Sequence, residues 1–538
     1  MPSVSTPFVR FRVPGATAWC RAALTLLLVL LLGTAGPAQQ QERQPPPLQA
    51  NAVFLHWNDF HGQFRPQRAA WKLRPGLPAE RAPLLGGAAL LAGYVQQQRD
   101  LAAGLGQRVV VTDGGDWYQG TLEGNETKGL LTVQFLARLR PDAVVLGNHE
   151  YDFGAANVRR LAAAASFPVL GANVTVPQNG EPVPADFVRP FVVLDVHGLR
   201  VVVVGLLTHD TKAVSTGPFD DDSFADEQRT LRRLWPKLRE AGDVVVLLTH
   251  CGVDADLELA RAFPEVPLIL GGHSHTGLRE PLREGNTWIV QTHGKGSEVY
   301  RVEAFADAQA KTLRPLRGEL VELDPAKVPS DAATTAWFTE ATRELAAHWD
   351  ETIGELVVPP YEDRGARSTP AGNLVADLFR SAAGADVGLT NKGGLRTRLV
   401  SGPLTRRMLY ELLPFENTLV SVSLTGEQLR AVLQGSLAKD RRPLEIGGAR
   451  YRYTVRDGER VLLDVTVGGK ALEPDRRYRV ATSSFLARGG DGLSAFARGT
   501  DVHDHGVLLR SVLIAEAERG QKLHAPDEER IGFVDEGK

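Results

Sequence analysis

Five short apolar runs, each followed at once by polar side chains, constrain this chain more than any other feature. They occupy 53–57, 109–111, 143–146, 244–248 and 268–270. Short runs rich in valine, isoleucine and leucine, bounded by turn residues, read as strands buried on both faces. Helical patterns at 88–99, 128–140 and 226–241 lie among them, and further strands are predicted at 167–174, 191–196 and 200–207. Strands alternating with helices make a sheet with helices on its faces. Such sheets place their sites in loops at the carboxyl ends of the strands.

Those ends carry an unusual set of side chains. The first run leads to Asp59 and His61, two apart at a strand end. The second leads through Gly114 and Gly115 to Asp116, which is preferred over Asp113 because it follows the glycine pair. The third leads to Gly147, Asn148 and His149, with Asp152 three residues on, placed to orient the imidazole through its other nitrogen. The fourth ends in His250, and the fifth runs through Gly271 and Gly272 to His273 and His275. Any one of these alone fits an ordinary turn. Together they form an oxygen and nitrogen donor set with one carboxylate free to bridge. That set suits two divalent cations about 3.5–4 Å apart. Without thiolate it favours Zn, Mn or a similar metal. His56 reads as a core histidine, His209 as a loop histidine and Cys251 as a small core residue.

Residues 58–61 (Asn-Asp-Phe-His), 115–121 (Gly-Asp-Trp-Tyr-Gln-Gly-Thr), 147–154 (Gly-Asn-His-Glu-Tyr-Asp-Phe-Gly), 249–252 (Thr-His-Cys-Gly) and 271–276 (Gly-Gly-His-Ser-His-Thr) resemble the ordered motifs of the calcineurin-like metallophosphoesterases. Their fuller forms resemble the secreted bacterial 5′-nucleotidase family. The resemblance implies an α/β protein whose N-terminal domain is a four-layer αββα unit. It implies one cation held by Asp59, His61, Asp116 and His275, and a second held by Asp116, Asn148, His250 and His273. His149 and Asp152 are the expected catalytic pair.

The second half adds a different inventory. A connector helix is expected at 332–349, and a composition shift follows near 355–360. Asn391, Gly393 and Arg396 follow a predicted strand at 385–390. An arginine forks onto phosphate oxygens, and glycines expose backbone amides. Phe415 and Phe485 can sandwich a flat ring, and Asp491 can accept hydrogen bonds from a diol. This half resembles the 5′-nucleotidase C-terminal substrate domain, an α+β unit. The resemblance implies that Asn391 and Arg396 hold the substrate near its phosphate, that Phe415 and Phe485 stack on the base, and that Asp491 binds the ribose. Arg364 or Arg367 is a further candidate for the phosphate, and Lys392 is expected to add positive charge nearby.

Composition closes off other classes. The formal net charge of −3 over 538 residues gives no electrostatic footprint for a nucleic-acid polymer. Arg10, Arg12 and Arg21 precede an apolar run at 22–32 and small residues at 36–38, which reads as a cleaved export signal, the run being too short to favour a membrane span, with an uncleaved N-terminal anchor as the alternative. With Cys20 removed, Cys251 stands alone and no intrachain disulfide can form. The expected organisation is a signal peptide at 1–38, a Gln/Pro-rich spacer at 39–50, a catalytic domain at 51–323, a connector at 324–351 and a substrate domain at 352–534. The expected protein is periplasmic or extracellular. It releases phosphate from nucleoside 5′-monophosphates by attack of a metal-bridging hydroxide. The rival substrates are 2′,3′-cyclic nucleotides, 3′-nucleotides and UDP-sugars, and a nonenzymatic ligand-binding protein on the same fold is the remote alternative.

Overall fold

Valine after valine in the first half alternates between two cores, and that alternation sets the layers. In the strand Arg108–Asp113, Val109 and Val111 face one cluster while Val110 faces another. In Leu199–Leu207, Val201 and Val203 join Val110, while Val202 and Val204 turn to a third cluster. Successive strand side chains point to opposite faces, so each strand feeds two cores at once. A fully buried valine or leucine is worth about 1.5–3 kcal/mol, so a charged residue at Val246, fully buried between the sheets, would unmake this half.

The computed structural model describes residues 48–69, 72, 81–359, 367–439, 441–520 and 522–535. The expected export signal, the expected spacer up to 47 and Arg364 lie outside them. Two six-stranded sheets stack face to face. The first runs Thr312–Glu322, Glu298–Asp307, Ala52–Trp57, Arg108–Asp113, Ala143–Val145 and Val169–Leu170, its last four strands parallel. The second runs Leu282–Glu284, Thr287–Val290, Leu268–Leu270, Val244–His250, Leu199–Leu207 and Phe191–Val196, its central four strands parallel. Helices Ala88–Leu105, Leu130–Leu139 and Ala155–Ala164 cover the outer face of the first sheet. Helices Glu227–Ala241 and Val253–Ala262 cover the second. The layers are therefore α, β, β, α. The strand expected at 167–174 is instead two, Val169–Leu170 and Val174–Gln178.

The second half has its own cores. A five-stranded sheet runs Glu445–Gly447, Val387–Thr390, Arg477–Ser483, Thr418–Thr425 and Thr500–Leu508. Helix Pro370–Ala382, capped by the Thr369 side chain, buries Val375 and Phe379 in one cluster. Helix Gly426–Ser436 buries Leu429, Val432 and Leu433 in another.

The connector is two helices, Ala332–Ala341 and Arg343–Trp349, rather than one. Each adheres to a different half. Phe338 stacks on Phe64 of the first half with ring centroids 5.0 Å apart, whereas Trp349 meets Tyr410 of the second edge-on at 5.1 Å. The described residues from 49 onward nevertheless form one compact body. Its halves are tied by Arg407 Nη1, which donates to buried Glu123 Oε1 at 2.7 Å, and by Asn125 Nδ2, which donates to Pro414 O at 2.8 Å.

Candidate active site

All seven expected donors arrive at one place, at the carboxyl ends of five strands. His250 is the last residue of its strand, and the others lie two to five residues beyond theirs. Five of them, Asp59, His61, Asp116, His273 and His275, have φ between 51° and 81°. Left-handed backbone at a non-glycine residue costs on the order of 1–3 kcal/mol and persists only where the surroundings impose it. Here the surroundings are hydrogen bonds between loops. Glu150, fully buried, accepts from Gly147 N at 2.6 Å, Trp117 N at 2.8 Å and Asp116 N at 3.0 Å, clamping two loops together. A Cβ on Gly147 would sit 2.2 Å from Asp116 Oδ1, so only glycine admits that carboxylate.

The donor atoms converge on one another. His61 Nδ1–H donates to Gln119 O at 2.5 Å, and His275 Nδ1–H donates to His293 O at 3.2 Å. A carbonyl can only accept, so in the neutral rings both Nε2 atoms carry lone pairs, and the two atoms lie 3.2 Å apart. Asp59 Oδ1 lies 3.2 Å from His275 Nε2, and among the described residues this buried oxygen accepts no hydrogen bond. His250 Nδ1–H donates to Gly114 O at 2.6 Å, leaving its Nε2 3.2 Å from both Asp116 Oδ2 and Asn148 Oδ1. His273 Nδ1 lies 2.9 Å from the same Asn148 oxygen. Buried lone pairs packed this way require positive charge among them. The residues present therefore fit divalent cations, in two adjoining groups: Asp59, His61 and His275, and Asp59, Asp116 and His250.

Burial alone would lower His250, yet the carboxylates of Asp116 and Asp59 push it up to about 10. His273, buried beside His250, falls to about 4. Asp113 is not part of the donor set. It accepts from Trp57 Nε1 at 2.6 Å and from Gly115 N at 2.9 Å, and burial pushes it up to about 8. His56 is also structural, bonded to Thr112 Oγ1 and Gly271 O. His209 stands apart with exposed Asp226 and buried Glu227, its Nδ1 2.9 Å from Glu227.

His149 borders the cluster, its Nε2 4.0 Å from Asp116 Oδ2 and its Nδ1 2.8 Å from Asp152 Oδ2. Burial opposes its protonation, but Asp152 and Asp116 outweigh burial and raise it. His149 also faces a cavity of about 140 Å³ lined by Asn391, Gly393, Arg396, Phe415, Phe485 and Asp491 from the second half. Arg396 reaches across, with Nη2 3.1 Å from His61 Nε2 and Cζ 5.7 Å from the Phe415 ring. Asn391 Nδ2 donates to Asp491 Oδ2 at 2.8 Å. A larger cavity, about 380 Å³, lies at the opposite end of the second sheet, where Asp243 is already paired with Arg200 at 3.0 Å.

Two expectations for the second half need correction. The Arg367 guanidinium is exposed, 3.7 Å from Glu529, and does not line the cavity. Lys392 adds no free charge there. Its side chain is 9% exposed and bonds to buried Glu445 at 2.9 Å and to the Arg367 carbonyl. The reason is Glu445, a fully buried carboxylate that needs a cation beside it. Sequence reading also missed contributors. Val214, Thr216 and Asn417 line the cavity. Lys295 links the halves, with its N–H on Asp59 O at 2.5 Å and its ammonium on Arg396 O. None carries a local signal, since each acts through a partner distant in sequence.

Comparison with known proteins agrees with this geometry. Residues 52–277 match the calcineurin-like phosphoesterase family, and residues 352–498 match the 5′-nucleotidase C-terminal domain. The chain is 28% identical over 488 residues to the trifunctional nucleotide phosphoesterase protein YfkN of Bacillus subtilis, matching 79% of this chain and spanning only about a third (33%) of that longer protein. It is 28% identical to the apyrase of Tabanus yao over 89% of this chain and 93% of that one. Among solved structures, a 5′-nucleotidase precursor from Thermus thermophilus superposes with a TM-score of 0.79 at 28% identity, covering 90% of this chain and 99% of that one.

Proposed function

We propose that this chain, which belongs to the 5′-nucleotidase family of calcineurin-like phosphoesterases and is a metal-dependent phosphoester hydrolase, releases phosphate from nucleoside 5′-monophosphates. One observation carries the substrate class. The cavity that offers two phenylalanines and an aspartate opens onto His149 and Arg396, beside the cation-binding donors. A flat base, a diol and a phosphate fit that sequence of groups.

Asp59, His61, Asp116 and His275 would hold one cation, and Asp116, Asn148, His250 and His273 a second, with Asp116 shared. Bound divalent cations supply Lewis-acid chemistry, offsetting charge on phosphoryl oxygens and making water acidic enough to act as a nucleophile at neutral pH. The remaining roles belong to side chains. Arg396 forks onto phosphate oxygens. Phe415 and Phe485 stack on the base and Asp491 accepts from the ribose diol, with Asn391 holding its carboxylate. As the phosphorus–oxygen bond to the sugar breaks, His149 gives the leaving 5′-oxygen its Nε2 proton, while Asp152 steadies the imidazolium through Nδ1. The first half supplies the chemistry and the second the recognition, so turnover requires the halves to part and close. The break at Thr342, between connector helices that adhere to different halves, is the hinge. Identical orientation of the halves in free and nucleotide-bound crystals would count against it.

We also read the chain as exported. Among the described residues no helix is long and apolar enough to cross a membrane. N-terminal sequencing of the mature protein should begin near residue 39; an intact Met1 would overturn export by cleavage.

The test of the substrate is phosphate release from AMP, 3′-AMP, 2′,3′-cyclic AMP, ADP and UDP-glucose, with and without added Mn. A preference for AMP supports the reading. A preference for another member keeps the hydrolase and moves the substrate, and no release with any metal brings the ligand-binding alternative forward.

A further inference from the structure

Asp152 is gripped from two sides by different parts of the chain. Its Oδ2 accepts from His149 Nδ1 at 2.8 Å. Its Oδ1 accepts twice from Thr216, from the backbone N at 2.9 Å and from Oγ1 at 3.1 Å. Thr216 ends a segment that begins beyond the strand Leu199–Leu207. The start of that segment is pinned where His209 N and Nδ1 both meet the Glu227 carboxylate, at 2.8 and 2.9 Å. Its middle reaches Asn148. Ser215 Oγ donates to Asn148 O at 2.7 Å, and Asn148 Nδ2 donates to Val214 O at 3.2 Å.

The terminal torsion of an aspartate is broad and roughly two-fold, so a carboxylate held by one bond swings readily. Two donors on the second oxygen remove that freedom, and the imidazole inherits the alignment. Thr216 also lines the substrate cavity beside His149. We propose that Thr216 is a positioning residue for proton transfer to the leaving group, its hydroxyl fixing the plane of Asp152 and through it the ring of His149. The inference rests on the reading of His149 as proton donor.

Thr216→Val keeps the shape and the backbone N–H and deletes only the hydroxyl, while Thr216→Ser returns it. Both variants and the wild type are assayed, as metal-loaded protein, on AMP, glycerol 3-phosphate and p-nitrophenyl phosphate, with metal content measured alongside. A lost hydrogen bond to a charged group should lower kcat on the alkyl ester AMP about tenfold, with KM within about twofold. Nitrophenolate departs without a proton, so kcat on p-nitrophenyl phosphate should stay within about twofold. Thr216→Ser should recover most of the loss. Equal losses on alkyl and aryl esters, no loss on either, or a fall in metal content would each overturn the proposal. If the wild type turns over glycerol 3-phosphate and not AMP, the nucleotide reading alone fails, and the Thr216 comparison is read on glycerol 3-phosphate.

Discussion

Asp116 and Asp491 are both aspartates in left-handed backbone, with φ of 55° and 54°, yet they are held very differently. Asp116 is almost fully buried. Its N–H is fixed by Glu150, its Oδ1 accepts from His149 N at 2.9 Å, and its Oδ2 faces His250 at 3.2 Å. Asp491 is half-buried between two glycines and, among the described residues, accepts one hydrogen bond, from Asn391. Cation ligands tolerate errors of only a few tenths of an ångström, and the many bonds that fix the Asp116 loop suit the ligand role proposed for it. A nucleotide is larger and softer, and a loop with few constraints can close upon it.

Chelation gives the widest separation between the halves. Removing divalent cations should abolish turnover and lower Tm, since cations at a hundred times Kd stabilise by about 2.7 kcal/mol. An unchanged melting curve in calorimetry would mean that the strained ligand loops need no cation. Asp116→Ala should lower occupancy of both cations in elemental analysis; two tightly retained ions would show that it does not bridge. His149→Ala should lower kcat on AMP by about 10²–10⁴, the usual range for a lost general acid, with metal content nearly intact. A collapse of metal content would reassign His149 to the ligands. The smallest effect belongs to the recognition half. Phe485→Ala should weaken AMP about tenfold in kcat/KM, in line with base–aromatic stacking of roughly 1–3 kcal/mol, and leave p-nitrophenyl phosphate unchanged. Equal losses on both substrates would remove the stacking role.

The same contrast governs what could be read without coordinates. The candidate metal ligands were legible because each stands within five residues of a buried strand, and the strands announce themselves by composition. Asp116 was separable from Asp113 by the glycine pair, and the structure places Asp113 against Trp57 and Gly115. The strand expected at 167–174 divides because Gly171, Ala172 and Asn173 turn the chain, the Asn173 amide bonding to the carbonyls of Leu207 and Ala225. The connector was read as one helix because nothing in its composition marks Thr342, where each flanking helix obeys a different half.

By itself the sequence determined a sheet with helices on its faces and the donor chemistry at its rim, because strand periodicity and strand-end residues are local properties; the four layers followed only from the family resemblance. Tertiary structure decided the rest. It brought Arg396 to within 3.1 Å of a His61 nitrogen 335 positions away and set Thr216 on the far oxygen of Asp152. It also turned Lys392 and Arg367 away from the cavity, toward Glu445 and Glu529. An arginine or lysine is a long, free rotor on a charged head, and only the carboxylate that packing brings near it settles where that head rests.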